Sequence, residues 1–254
     1  MLALRNAREH RRFLERPIAS GEGVVPPRAI TRPLGRGVLT SAEAARILAD
    51  FGIPLAETIP AKDAEQAVRA AESLGYPVVI KIDTPDIAHK TDVGGVRVGC
   101  RDATAVRAAV ADVLDTVGHR APAARLDGVQ VQRMVAGGTE MILGIKTDPL
   151  FGPAVVCGFG GIFVEQLRDV SVRVPPVGRA DAMAMVGELR GAALLRGARG
   201  RTPADVEALA DTIVRLAALA EAHRQSLRAL DINPLLVLDA GRGVVAVDWL
   251  IELA

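Results

Sequence analysis

The apolar positions of the first half change period several times, and each change marks a new element. From residue 40 the spacing Ala44, Ile47, Leu48, Phe51 follows a helical stripe. Thr40 and Glu43 form a capping pair at its start, and Gly52 before Pro54 supplies the stop. A strand-like piece, residues 53–59, comes next. Asp63 and Gln66 then open a second helix, whose apolar face is Ala67, Ala70, Ala71 and Leu74 and whose end is Gly75. The run Pro77, Val78, Val79, Ile80 is too short for an ordinary helix and rich in β-branched residues, so it reads as a buried strand. A polar loop with Pro85, Asp86, His89, Lys90 and Asp92 closes at Gly94-Gly95 before a further β-like run, residues 96–98. A helix over 102–117 shows Val106, Val110, Val113, Leu114 and Val117 on one side.

In the second half the pattern turns to alternation. Residues 128–135, 140–147, 154–157, 162–165 and 170–174 read as strands joined by short polar or Gly-Pro turns, hence as an antiparallel sheet. Two helices follow, at 180–195 and 202–223, the second marked by Thr202 as cap, Pro203 at the first position and Asp205 in the first turn. Short strands at 230–232, 235–238 and 244–249 close the chain. Mixed helices and strands give an α/β (α+β) class with two subdomains, expected at 38–127 and 128–254. Residues 1–37, broken by Pro17, Gly21, Gly23, Pro26, Pro27, Pro33, Gly35 and Gly37, read as a linker or N-terminal arm.

Composition removes several classes of function. Half of the 254 residues are hydrophobic, but aromatics are only 3%, too few for base-stacking platforms. A net charge of +1 gives no electrostatic reason to expect a nucleic-acid or membrane partner, although residues 5–36 are locally basic. No apolar stretch is long enough to span a bilayer, and the N-terminus lacks the apolar core of a signal peptide, so the expected location is cytoplasmic. Cys100 and Cys157 lie far apart without metal-ligand spacing and are expected to be free thiols.

Three features point to phosphate chemistry. Lys81 sits inside a buried strand, where a charged side chain needs a partner or points at an anion. His89, flanked by Asp86, Lys90 and Asp92, is a candidate phosphoryl acceptor or general base, while its plainer reading is a solvated loop side chain. His10, His119 and His223 stand in surface-type contexts and are read as solvated. Asp231-Ile232-Asn233-Pro234 ends one strand and Asp248 lies on the last; a carboxamide with a carboxylate offers the hard oxygens that Mg²⁺ takes. The plainer alternative is an Asx turn before proline and a strand-end aspartate. Gly158-Phe159-Gly160-Gly161 is not a dinucleotide fingerprint, because Ile162, Phe163 and Val164 continue as a strand and not as a helix.

Taken together, LGYPVVIKI (74–82), PDIAHKTDVGGV (85–96), VQRM (131–134), TEMILGIKTDPLFGP (139–153), GFGGIFVE (158–165) and DINPL (231–235) resemble the ATP-grasp part of the ADP-forming acyl-CoA synthetases, and more distantly the β subunit of succinyl-CoA synthetase. The resemblance covers the chain from Val38 onward and implies an ATP-grasp fold, two subdomains gripping the nucleotide between them. It implies that Lys81 contacts ATP phosphates, with Gly94 and Gly95 in the same site, and that Gln132 lies near adenine and ribose. Glu140 would be the acidic nucleotide-site residue, Asn233 and Asp248 would hold Mg²⁺, and Asp231 and Glu165 would support the loop or metal. His89 would be a transient phosphohistidine on a swinging loop, for which residues 83–92 must be mobile. Where relatives carry an acid two residues before DINPL, this chain has Ala229.

The sequence shows no CoA-binding Rossmann domain, so the resemblance implies a CoA-binding α-type partner in a hetero-oligomer, with CoA and the acyl substrate on that partner. ATP/ADP and Mg²⁺ would be bound here. Two other readings stay open: a catalytically degenerate ATP-grasp regulatory module of an acyltransferase-type assembly, and an ATP-grasp carboxylate–amine ligase, which has no use for His89.

Overall fold

The computed structural model describes residues 37–87, 89–160, 169–197 and 202–254. The expected arm, the strand expected at 162–165 and Glu165 within it lie outside these, except that Gly37 opens the first strand.

The chain runs through β1 (Gly37–Val38), α1 (Ser41–Asp50), β2 (Thr58–Ala61), α2 (Ala64–Leu74), β3 (Val78–Asp83), β4 (Val96–Cys100), α3 (Ala103–Arg120) and β5 (Gly128–Arg133). It continues through β6 (Thr139–Asp148), β7 (Gly152–Phe159), β8 (Val170–Arg173), α4 (Arg179–Glu188), α5 (Ala192–Leu195), α6 (Val206–Ala222), β9 (Leu227–Val237), β10 (Val244–Ala246) and β11 (Trp249–Leu253). Among the described residues these strands form two antiparallel sheets. The smaller has four strands in the order β2-β5-β3-β4; the larger has seven in the order β1-β11-β9-β6-β7-β8, with β10 paired to β9.

Each sheet buries one face under helices. In the small sheet, Val78 and Ile80 of β3 and Val129 and Val131 of β5 meet Ala67, Ala71 and Leu74 of α2 and Val106 and Val110 of α3. Both helices start on aspartate caps: Asp63 accepts from Gln66 N at 2.8 Å and Asp102 from Ala105 N at 2.8 Å. The large sheet packs Met141, Leu143, Ile145, Val155 and Cys157 against Leu209, Ile213 and Leu216 of α6, and Ile47, Leu48 and Phe51 join this core from α1. Cys100 and Cys157 are buried free thiols.

This arrangement moves both expected subdomain boundaries. β5, read with the second unit, is the strand between β2 and β3 in the small sheet, because Val129 and Val131 alternate into that core. β1 and α1, read with the first unit, belong to the large sheet: β1 pairs with β11, and Leu39, Ala44 and Ile47 join its core.

Other differences have local causes. The helix expected at 180–195 breaks after Glu188 because the Asp169 carboxylate accepts from Arg190 N and Gly191 N, each at 2.8 Å. Gly191 is also needed there, since a Cβ would lie 2.6 Å from the Phe159 ring. The cap of α6 is Asp205, not Thr202; its carboxylate accepts from Ala208 N at 3.1 Å and from Gly243 N at 2.8 Å, fixing the helix to the turn after β9. The two strands expected at 230–238 are the single strand β9. It contains Pro234 where the register against β6 shifts, so the missing N–H of proline interrupts no ladder bond. Strand 244–249 is two pieces, β10 and β11, and the turn between them carries Val247 and Asp248.

Candidate active site

Alternation along β3 and β5 sends Ile80 and Val131 into the core and turns Lys81, Gln130 and Gln132 to the other face, toward the large sheet. Lys81 is only 4% exposed. Its Nζ donates to the Val247 carbonyl at 2.8 Å and lies 3.9 Å from Asp248 Oδ1. Burial pushes the Lys81 ammonium down to about 8; Asp248 opposes this and the nearby Lys90 charge adds to it. Gln132 Nε2 donates to Thr58 Oγ1 and to the same Val247 carbonyl, both at 3.0 Å. Gln130 Nε2 donates to Asp83 Oδ1 at 2.7 Å, and its own oxygen accepts from Ser41 Oγ at 3.3 Å. The two sheets are thus stitched together along one row of polar side chains.

The loop after β3, expected to be mobile, is packed on both sides of its tip. Ile87 and Val93 rest on Ile82, Val113 and Val117, Arg125 N donates to Asp86 Oδ2 at 2.7 Å, and Gly95 N donates to the Lys90 carbonyl at 2.7 Å. These apolar contacts and backbone bonds dock it in the position observed. Close packing also accounts for the glycine pair: a Cβ on Gly95 would lie 2.7 Å from Ile82 Cγ2, and one on Gly94 2.8 Å from Thr116 Cγ2. His89 remains exposed at the tip, whereas Lys90 beside it is buried.

From the large sheet, β9 alternates Leu230 and Ile232 into the core and so presents Asp231 and Asn233 on its opposite face. Asn233 N donates to the Asp248 carbonyl at 3.1 Å, which ties the β10–β11 turn to this strand. The result is a cleft of about 170 Å³ lined by His89, Asp231, Asn233, Asp248, Trp249 and Leu250. Asp248 Oδ1 is 3.6 Å from Lys90 Nζ. Burial raises the Asp231 carboxyl above the usual carboxylate range; His89 opposes the rise and Asp248 adds to it. An imidazole, two carboxylates, a carboxamide and two ammonium groups therefore converge on one small space.

The donors fit a hard cation. No group of three His, Cys, Asp or Glu side chains among the described residues forms a complete metal site. Asn233 and Asp248, with Asp231 beside them, line the cleft with oxygen donors of the kind Mg²⁺ takes when waters and phosphate oxygens fill its remaining positions.

Of the residues singled out in the sequence, His89, Asp231, Asn233 and Asp248 meet in the cleft, and Lys81 and Gln132 reach its edge through Val247 and Asp248. Glu140 stands exposed at the start of β6, opposite Leu236, and does not line the cleft. Ala229 lies across from Lys146 on one side and Glu252 on the other, and Glu252 pairs with Arg228 at 3.0 Å. His223, read as solvated, is only 9% exposed and sits edge-on to Phe51 at 5.9 Å, because α6 ends over the core. Lys90, Gln130 and Trp249 were not anticipated. The signal for Gln130 was available in the alternation of VQVQ, which puts glutamines on the same face as Lys81. Trp249 Nε1 donates to the Ser41 carbonyl at 3.0 Å, a contact with no local sequence trace.

The ATP-grasp domain family matches residues 31–253. The chain belongs to the ATP-grasp family. The β subunit of acetate–CoA ligase [ADP-forming] I from Pyrococcus furiosus is 40% identical over 235 residues, 92% of this chain and 98% of that protein. Acetate–CoA ligase [ADP-forming] I from Archaeoglobus fulgidus is 44% identical over 82% of this chain, which spans only 30% of that longer protein. Among solved structures, the dinucleotide-forming acetyl-coenzyme A synthetase 1 of Ca. Korarchaeum cryptofilum, in complex with coenzyme A and Ca-AMPCP, superimposes with a TM-score of 0.82 at 38% identity, over 87% of this chain and 95% of that one. Another structure of that synthetase holds Mg-AMPPCP with its phosphohistidine segment pointing towards the nucleotide binding site (TM-score 0.73, 35% identity, 85% and 93% covered). Two antiparallel sheets facing each other across a polar cleft are thus an ATP-grasp domain of the kind found in ADP-forming CoA ligases. No helix among its described residues is long and apolar enough to cross a membrane.

Proposed function

We propose that this ATP-grasp domain is the nucleotide-handling part of an ADP-forming acyl-CoA synthetase, with His89 as its phosphoryl carrier. The observation that carries the reading is the exposed imidazole of His89 in one cleft with Asp231, Asn233 and Asp248, beside two buried lysines. The overall reaction interconverts acyl-CoA, ADP and phosphate with carboxylate, CoA and ATP through an acyl phosphate. Toward ATP synthesis, a terminal phosphate oxygen of ADP bonds to the phosphorus carried on His89, the N–P bond breaks, and its electron pair returns to the imidazole. Asp231 offsets positive charge on that ring. Lys81 exchanges the Val247 carbonyl for phosphate oxygens, and the same burial that lowers its pKa strengthens its attraction for them. Asn233 and Asp248 would hold Mg²⁺, which when bound would neutralise phosphate charge. Gln132 lies toward adenine and ribose.

A CoA-binding α-type partner carries CoA and the acyl substrate and exchanges phosphate with His89, in a hetero-oligomer working in the cytoplasm where ADP and CoA are available. The β-subunit relative, matched over nearly its whole length, supports this division of labour. The test is incubation with ATP labelled at the γ-phosphate and Mg²⁺, with and without the partner. Acid-labile, base-stable label on His89, absent in His89→Ala, is the expected result. Nucleotide binding with no label under any condition overturns it in favour of a regulatory module.

A further inference from the structure

Lys90 has no part in the chemistry above, yet it is 6% exposed while His89 beside it is open to solvent. A buried ammonium is costly unless an anion faces it. That anion is Asp248, whose Oδ1 lies 3.6 Å from Lys90 Nζ and 3.9 Å from Lys81 Nζ. One carboxylate of the large sheet thus serves two lysines of different freedom. Lys81 is fixed in β3 by its ladder with β5, whereas Lys90 lies outside any strand, in the connection between β3 and β4.

We propose that Lys90 is a positioning residue: its ion pair with Asp248 latches His89 into the cleft beside Asp231, and a cation taken up by Asp248 releases the latch. The inference rests on reading Asp248 as a metal ligand and His89 as the carrier. Once the Asp248 charge is engaged by a divalent ion, Lys90 is left buried against a neutralised partner. Moving Lys90 into water, and His89 with it, then becomes favourable. Coupling of this kind is reciprocal, so metal loosens the loop and loss of the latch tightens metal binding.

Hydrogen–deuterium exchange of residues 85–95 in the full chain, without nucleotide, tests the latch. In the wild type, Mg²⁺ alone is expected to accelerate exchange there by about five-fold or more, the lower end of usual coupling. Lys90→Met is expected to exchange fast with or without Mg²⁺, and Lys90→Arg, which keeps the charge, to follow the wild type. Exchange in the wild type that ignores Mg²⁺, or a folded Lys90→Met that exchanges as slowly as the metal-free wild type, overturns the proposal. The wild-type titration needs no variant, so a Lys90→Met chain that does not fold leaves the test intact. Absence of label on His89 would overturn the carrier reading alone, since exchange in nucleotide-free protein does not depend on phosphorylation.

Discussion

Gln132 Nε2 lies 3.0 Å from the carbonyl oxygen of Val247, so a side chain of the small sheet is bonded to the turn between two strands of the large one. Lys81 donates to the same oxygen at 2.8 Å. When Lys81 turns to a phosphate, Gln132 is left holding that junction. Gln132→Leu is therefore expected to cost about 1–3 kcal/mol, the usual penalty when buried hydrogen-bond partners lose their mate. It should also weaken nucleotide binding, because Lys81 becomes the sole side-chain donor to Val247 O among these two. Urea denaturation and nucleotide titration check the two effects. An unchanged midpoint would show that the junction does not depend on Gln132.

Gly95→Ala tests whether the loop geometry matters beyond its glycine content. The new Cβ would stand 2.7 Å from Ile82 Cγ2 and 2.9 Å from the Lys90 carbonyl, and the latter is backbone that cannot simply rotate away. Overpacking of this size costs roughly 1–3 kcal/mol. The loop is the part free to yield, so phosphorylation of His89 is expected to fall more steeply than thermal stability. Equal losses in both would place the strain in the sheet instead.

His223 gives the fold a pH dependence unconnected with the cleft. It packs edge-on to Phe51, and burial lowers its pKa from 6.5. Below about 6.5 the unfolded chain binds a proton that the folded chain resists, so stability falls as pH drops through that region and levels off once the folded histidine is also protonated. Above it His223 contributes no slope. His223→Leu is expected to reduce the difference in denaturation midpoint between pH 7 and pH 5. An identical pH profile in the variant would assign the slope to other groups.

Local patterns carried much of this molecule into view. The capping pair Thr40–Glu43 and the stripe Ala44, Ile47, Leu48 are short-range signals, and both are realised in α1. The antiparallel character of the second half followed from strands separated by tight turns. What remained hidden depends on distant partners. Nothing near Val129 tells that β5 crosses to the first sheet, because its alternation suits either one. Asp169 ends a helix that begins ten residues later in the chain, through bonds to Arg190 N and Gly191 N that no helical period foretells. In the cleft, His89, Asn233 and Asp248 were legible as residue types suited to phosphate and metal. The pairing of Lys90 with Asp248 was not, since a lysine in a polar loop normally signals solvent.

Asp231 separates activity from stability. Its carboxyl is partly buried and raised above the usual range, chiefly by burial and further by Asp248, with His89 opposing. The fold alone is better served by a neutral group of the same shape, so Asp231→Asn should denature no earlier than the wild type at neutral pH, where the carboxylate charge is unfavourable. The imidazole loses by the same change, because the positive charge that develops on His89 as it takes up a phosphoryl group is no longer offset. Removing one such preorganised electrostatic partner costs roughly a hundredfold in rate. The expected outcome is a stable protein whose His89 takes up label from ATP about two orders of magnitude more slowly. Labelling at the wild-type rate would mean that His89 works without Asp231, and a variant that is both slow and unstable would make Asp231 a structural residue first.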